Sequence, residues 1–367
     1  MGIGLQSRRA ARYDRVMIST RKIAAIPFRF TITRLLLPAG VLLAIACGSA
    51  QAAAGETLAQ IKSRGVLRCG VSEGIAGFSI KDAAGRWSGM DADFCRAVAA
   101  AVLGDADKVE FLPLRATERF PALQSGRIDL LARNTTWTLT REASLKVQFP
   151  GVLYFDRQGF MVPAKSAIKT LARLKGASVC VQKGTTSMQR LADYSTQHAL
   201  GIKPLVIDSA VGVVDAFFAG KCEAYTSDVS QLAAARLRAP GGEKSFVILA
   251  ERISKEPLGP VVRAGDEDWL TLVRWVLFTL IAAEEAGITQ KNVGERAPLM
   301  QRALGADAEL SKALGVANGW GVRAVQAAGN YGEIFERNLG RDSPLKLERG
   351  LNNLWTQGGL MYAPPVR

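Results

Sequence analysis

Two short polar clusters hold most of the chemistry in this chain of 367 residues: Arg133-Asn134-Thr135-Thr136 and Thr226-Ser227-Asp228. Each follows an apolar run and sets one ionic side chain among hydrogen-bonding neighbours, a composition suited to gripping a small polar ligand. The residues of hydrolytic or phosphoryl-transfer catalysis are missing. No G-x-S-x-G elbow, P-loop or H-E-x-x-H occurs. The single histidine, His198, lies in a polar stretch, 194–201, that reads as a solvated loop or helix end. Cys69, Cys95, Cys180 and Cys222 show neither C-x-x-C nor Cys/His metal spacing, so no metal and no cofactor are expected.

The elements that must position these clusters alternate in type. Strands are expected over 66–71, 109–114, 128–132, 178–182, 205–207 and 224–226, with helices over 91–103, 118–124, 188–194 and 211–218 between them. Such alternation indicates parallel α/β sheets. A degenerate correspondence links the halves. Phe120 to Leu130 and Val214 to Ala224 each give an apolar helix end, a glycine (Gly126, Gly220), a base, and a strand opening on an apolar–acid pair. In open α/β sheets ligands collect at the carboxyl ends of strands. Two similar lobes would therefore share a cleft, although unrelated helix–glycine–strand turns would look the same. From about residue 266 the pattern is helical: 269–285, 298–304, 307–314 and 322–337. The apolar stretch 269–283 is interrupted by Arg274 and reads as a core helix.

Composition excludes several classes. With 48% apolar and 22% charged residues the chain can form a core, and the length suits about two domains. The net charge of +14 invites a nucleic-acid reading, but residues 1–54 contribute eight bases against Asp14 alone. Removing them from 47 bases and 33 acids leaves 39 and 32, a net of +7 with the two signs interspersed, so no nucleic-acid partner is expected. The same segment has a basic region, a twelve-residue apolar run at 35–46 and small residues at 49–54, the pattern of a secretory signal peptide ending near Gly55. Twelve residues fall short of the roughly 20 needed to span a bilayer. Met17 is an alternative start. Export to an oxidising compartment permits disulfides, with Cys69–Cys95 and Cys180–Cys222 the expected pairs; four small buried hydrophobes are the equal alternative.

Longer runs then show a resemblance. Gly89-Met90-Asp91-Ala92-Asp93-Phe94-Cys95, Ala122-Leu123-Gln124-Ser125-Gly126-Arg127-Ile128-Asp129 and Thr138-Leu139-Thr140-Arg141 resemble the polar amino-acid group of periplasmic substrate-binding proteins of ABC transporters. Arg133 to Thr138, the tail Gly329 to Arg337, Ser343-Pro344-Leu345-Lys346 and Gly358 to Pro365 look more narrowly like the general L-amino-acid-binding subunit. The resemblance covers essentially the whole chain after the signal segment.

It implies an α/β, two-lobed periplasmic-binding-protein fold of type II, each lobe an open, mostly parallel sheet flanked by helices, with extra C-terminal helices. It implies an exported subunit that captures a free L-amino acid between the lobes and delivers it to the membrane permease. Arg141 matches the arginine that binds the ligand carboxylate, and its planar fork suits a bidentate pair. Asp228 matches the acid that pairs with the ammonium, though it could equally cap the following helix. Thr136 and Asn134 match polar positions bonding the two groups. Gly184-Thr185-Thr186 opens a helix whose N–H groups could serve the carboxylate, or be only an N-cap. Ser72 is counted with these residues. Arg133 stands where binders of basic amino acids carry a small polar residue, so neutral or acidic ligands are favoured. Where many relatives place an aromatic over the ligand side chain, this chain has Ser72-Glu73-Gly74-Ile75-Ala76-Gly77-Phe78. Trp137 is read as core rather than pocket wall.

The expected organisation is a signal peptide over 1–54, a first lobe of 56–162 plus 265–367, and a second of 163–264, hinged near 161–165 and 259–263. The mature protein is expected in the periplasm as a monomer. A cyclic-acid dehydratase-like enzyme on the same fold, with Glu73 as general acid, is the alternative.

Overall fold

The computed structural model describes residues 55–296 and 307–366. The signal-peptide expectation and the helix expected over 298–304 lie outside the described residues. The chain runs through α1 Glu56–Arg64, β1 Leu67–Ser72, the hairpin strands β2 Ile80–Lys81 and β3 Trp87–Ser88, α2 Met90–Leu103, β4 Val109–Leu114 and α3 Arg119–Gln124. It continues through β5 Leu130–Thr136, α4 Leu139–Leu145, β6 Val147–Gln148 and β7 Tyr154–Asp156. A second set follows: β8 Gln158–Pro163, β9 Ser178–Gln182, α5 Thr186–Gln197, β10 Lys203–Ile207, α6 Ala210–Phe218, β11 Ala224–Asp228, α7 Val229–Arg236 and β12 Phe246–Ile248. The chain returns in β13 Glu256–Arg263 and ends in α8 Glu267–Glu285, α9 Val293–Arg296, α10 Ala308–Ala313, α11 Trp320–Ala328 and α12 Tyr331–Asn338, before short 3₁₀ turns.

Two mixed sheets result, and they repeat one plan. The first has the order β4-β1-β5-β13-β6, with β7 also on β13; the second has β10-β9-β11-β8-β12. In each, three strands are parallel and a strand that crosses from the other sheet, β13 in the first and β8 in the second, pairs antiparallel beside the third. The correspondence seen in sequence is structural: Gly126 and Gly220 both sit at φ +72°, turning α3 into β5 and α6 into β11. Both clusters thus end equivalent strands, facing each other across a cleft between two α/β lobes.

The strands that cross between sheets differ from expectation. Met161 pairs with Tyr225 and Ile248 in the second sheet, and Gly259 with Thr135 in the first. The chain therefore crosses at Arg157, and again between Ile248 and Glu256, rather than near 161–165 and 259–263. The apolar run Phe160-Met161-Val162 is fully buried and so belongs inside a sheet; the break in pairing falls at the polar Asp156-Arg157. Gly259 is needed there, because a Cβ would stand 2.1 Å from the Gly151 carbonyl oxygen.

The larger core lies on the first sheet, where α2 is buried along nearly its whole length and its alanines let α11 approach closely. Helix α8 is a core helix, with the Trp269 indole N–H donating to the Asp129 carbonyl at 3.0 Å. No described helix is long and apolar enough to cross a membrane. The helix expected over 322–337 is two helices. Gly329, at φ +82°, ends the first, and Asn330 opens the second by a capping box with Glu333. Cys69 is joined to Cys95 and Cys180 to Cys222, each pair within one sheet-and-helix layer.

Candidate functional site

The site begins with an irregularity in β5. Two steps along β13, from Gly259 to Val261, span four along β5, from Thr135 to Leu131. The extra length is taken up at Asn134, whose φ is +33°. Left-handed backbone at a non-glycine residue costs of order 1–3 kcal/mol and persists where its surroundings hold it. Here the Asn134 N–H donates to the buried Asp91 carboxylate at 2.9 Å. Regular alternation would turn Arg133 and Asn134 to opposite faces; instead both line one cavity with Thr136.

That cavity, of about 280 Å³, lies between the sheets. Arg119 and Arg141 complete its first wall; Gln182, Thr185, Thr186, Ser187, Ser227, Asp228 and Gln231 form the second. Thr138 caps α4 by accepting the Arg141 N–H at 3.2 Å, which fixes Arg141 in the first turn. Its Nη1 donates to the Thr136 carbonyl at 2.5 Å, and its guanidinium lies 5.4 Å over the Phe120 ring. Arg133 Nε donates to the Leu114 carbonyl at 2.9 Å, while its Nη2 is buried with no partner. Burial lowers both arginines to about 10, so both remain cations at neutral pH. Arg119 donates to Thr135 Oγ1 at 3.4 Å and the Gly184 carbonyl at 3.3 Å, and its buried Nε has no partner. Burial, then the Arg141 and Arg133 charges, push its pKa well down.

The opposite wall holds the complementary groups. Asp228 occupies the N-cap position of α7, yet its side chain caps nothing. The Ser230 N–H and hydroxyl go instead to Asp156 Oδ2, from the end of β7. Asp228 Oδ1 is left buried without a donor, as is Asn134 Oδ1. Burial and the neighbouring Asp156 and Glu256 carboxylates push the Asp228 pKa well up, against the pull of Arg141 and Arg119. Three acids converge, but no group of acids, cysteines or histidines among the described residues could hold a metal.

Thr185 does cap α5: its hydroxyl accepts the Met188 N–H at 3.3 Å and donates to the Gln182 carbonyl at 2.7 Å. Thr186 Oγ1 donates to Glu256 Oε2 at 3.0 Å and meets Thr136 Oγ1 at 3.2 Å. The N–H groups of Thr186 and Ser187, in the first turn of α5, have no intrahelical acceptors, and both residues line the cavity. Around the rim the lobes touch directly. Arg115 and Thr117 bond Asp208 at 3.2 and 3.0 Å, and the Ala210 N–H reaches Glu73 at 3.5 Å.

Seven of the eight residues expected at the site thus line this cavity: Arg133, Asn134, Thr136, Arg141, Thr185, Thr186 and Asp228. Ser72 does not. It is fully buried behind the wall, its hydroxyl and N–H both spent on Ser79. Trp137 is neither core nor cavity wall; it is 36% exposed and stacks on Phe149 at 5.5 Å. His198 lies against Tyr194 at the end of α5, away from the site. Sequence reasoning missed Arg119, Gln182, Ser187 and Gln231 in the walls, and Asp156 and Glu256 behind them, while Ser227 was named only as part of its polar cluster.

Residues 67–295 match the family of bacterial extracellular solute-binding proteins, family 3. A general L-amino acid-binding periplasmic protein of Rhizobium johnstonii is 48% identical over 338 residues, 90% of this chain and 99% of that protein. A glutamate/glutamine/aspartate/asparagine-binding protein of Rhodobacter capsulatus is 47% identical over 88% of this chain and 97% of its own length. An ABC-transporter periplasmic binding protein from Brucella ovis, solved with glutathione bound, is 47% identical with a TM-score of 0.82, over 85% of this chain and 99% of that one.

Proposed function

We propose, from the premise that this chain belongs to the bacterial extracellular solute-binding proteins, family 3, how it holds its ligand. The protein is the amino-acid-binding component of an ABC importer, and not an enzyme: it presents free amino acid to the membrane permease. In the reading proposed here, the ligand carboxylate lies against Arg141, with Thr136 and the first turn of α5, and the ammonium against Asp228, with Asn134. One observation carries this assignment. Within a single cavity, buried donors without acceptors on the first wall (Arg133 Nη2, Arg119 Nε) accompany buried acceptors without donors, Asn134 Oδ1 on the same wall and Asp228 Oδ1 on the opposite one. Unpaired buried polar groups cost about 1–3 kcal/mol each, more when charged, so a zwitterion carrying both complements relieves the cost on both walls.

Three guanidiniums against one free carboxylate favour ligands with a neutral or acidic side chain over Lys or Arg. Glu73, the candidate acid for the enzyme alternative, sits at the rim against Arg115 and the Ala210 N–H. Residues 1–54 are assigned as a cleaved signal peptide and the mature chain as a periplasmic monomer. The lobes are assigned as 56–156 with 256–366, and 158–248. Hinge closure then follows from the site, because each end of the ligand draws on groups from both lobes and only the closed form brings them together. A thermal-shift screen against the twenty amino acids tests the assignment. Glu, Gln, Asp or Asn should raise the melting temperature by mass action. A shift with Lys or Arg alone would sink it.

A further inference from the structure

A second and larger cavity, of about 740 Å³ against 280 Å³, adjoins the polar one. Gln231 lines both. From there Gln231, Ala234, Ala235 and Arg238 stand at i, i+3, i+4 and i+7, one face along α7 and the turn that follows it. Seven residues at 1.5 Å each make that face about 10 Å long. Ser227 donates to Gln231 Oε1 at 2.6 Å and fixes the junction end. The facing wall comes from the other lobe, where Gly74 and Ala76 leave the room that a bulky side chain would fill. The far end carries a cation. Arg238 is paired with Asp215 at 3.3 Å, both half exposed, a surface pair that an incoming carboxylate can displace.

We propose that this cavity is a second subsite of the same ligand site, and that the chain takes γ-linked dipeptides. The proposal rests on the amino-acid reading above. The linkage follows from the polar site, which requires a carboxylate and an ammonium on one carbon. An α-linked dipeptide puts them at opposite ends and cannot meet Arg141 and Asp228 together. Joining the second residue through the side-chain carboxyl keeps the head intact. The arm then reaches about 7–8 Å from the head carbon to the terminal carboxylate by ordinary bond lengths. That covers most of the roughly 10 Å apolar face and leaves a gap that the long Arg238 side chain can close.

Titration calorimetry of the purified chain with L-glutamate, γ-glutamylvaline and α-glutamylvaline tests this. Glutamate and the γ-linked peptide should bind and the α-linked one should not. Arg238→Gln should weaken the γ-linked peptide about three- to fivefold, and Ala76→Phe should weaken it further by filling the cavity. Both variants should leave glutamate within about twofold. Arg238 is exposed enough that its replacement does not threaten folding, so this variant decides if Ala76→Phe fails to fold. Three results would overturn the proposal: glutamate binding without γ-glutamylvaline, equal binding of the α-linked peptide, or γ-glutamylvaline binding indifferent to both substitutions. Failure of every amino acid to bind would instead remove the reading beneath it.

Discussion

Replacing Asp228 with asparagine should move affinity and stability in opposite directions. The substitution keeps shape and removes charge. In the assigned mode the carboxylate receives the ligand ammonium, a charge-assisted hydrogen bond of about 1.5–3 kcal/mol. At 1.4 kcal/mol per tenfold its loss raises Kd roughly 10- to 140-fold. Without ligand the sign reverses. Asp228 is buried, has no ion pair within 4 Å among the described residues, and faces the carboxylates of Asp156 and Glu256 with only the more distant pull of Arg141 and Arg119. Neutralising it removes a charge the fold strains to keep, so the ligand-free melting temperature should rise by a few degrees, at about 2–4 °C per kcal/mol. The same burial and repulsion raise its pKa, so binding of an ammonium should expel a proton whenever the free carboxyl is protonated. Affinity should then fall as pH falls, and calorimetry in phosphate and Tris should give different apparent enthalpies. Asp228→Asn should abolish that buffer dependence. Unchanged affinity together with a lower melting temperature would refute the reasoning, since the carboxylate would then be a structural ion and not a seat for ligand.

Arg141→Lys keeps a cation but loses the planar fork that binds a carboxylate through two parallel bonds. Affinity should drop at least tenfold while the circular dichroism spectrum stays unchanged; equal affinity would move the carboxylate to Arg119 or Arg133. Asp91, which supports Asn134, is raised by burial to about 7 from 3.8. Its contribution is therefore complete below about pH 4 and lost as pH rises through about 7, an upper bound of about 4 kcal/mol. Chemical denaturation should show the wild type losing stability over that range relative to Asp91→Asn, and parallel curves would contradict it. Reducing the Cys69–Cys95 and Cys180–Cys222 bonds, which close loops of 26 and 42 residues, should destabilise the chain by about 3–4 kcal/mol each on loop-entropy grounds. The measurement is the melting temperature with and without reductant.

The clusters that line the cavity were visible in sequence because strand ends interrupt apolar runs with polar residues, and Arg133 to Thr136 and Thr226 to Asp228 do so plainly. Position along a strand does not reveal face. Ser72 ends β1 as Asp228 ends β11, yet its hydroxyl turns behind the wall to Ser79. Arg119 escaped notice because an arginine beside Phe120 at a helix start looks the same whether it meets solvent or a cavity; only the packing of α3 against β5 buries it. The bulge at Asn134 has no local signal, since it arises from the pairing of β5 with a strand more than a hundred residues later. The sheet membership of the crossing strands was illegible for a related reason. Strand content was legible around 158–163, but not which of two sheets would recruit it.

Asp156 and Glu256 explain why Asp228 is available at all. They are register partners on β7 and β13, the strands at which the chain leaves and re-enters the first sheet. Each sends its carboxylate to the start of a helix in the second lobe: Asp156 to Ser230 of α7, Glu256 to Thr186 of α5. A helix N-terminus attracts negative charge and needs acceptors for its free N–H groups. Because Asp156 serves that need at α7 from across the lobe boundary, the N-cap residue itself is released to face the cavity. The bond from Glu256 continues through Thr186 to Thr136, whose carbonyl holds Arg141. The guanidinium assigned to the ligand carboxylate is thereby linked to the crossing strand by contacts that exist only while the lobes meet. A ligand that draws on Arg141 and Asp228 together must favour that closed arrangement, since with the lobes apart it could meet only one of the two.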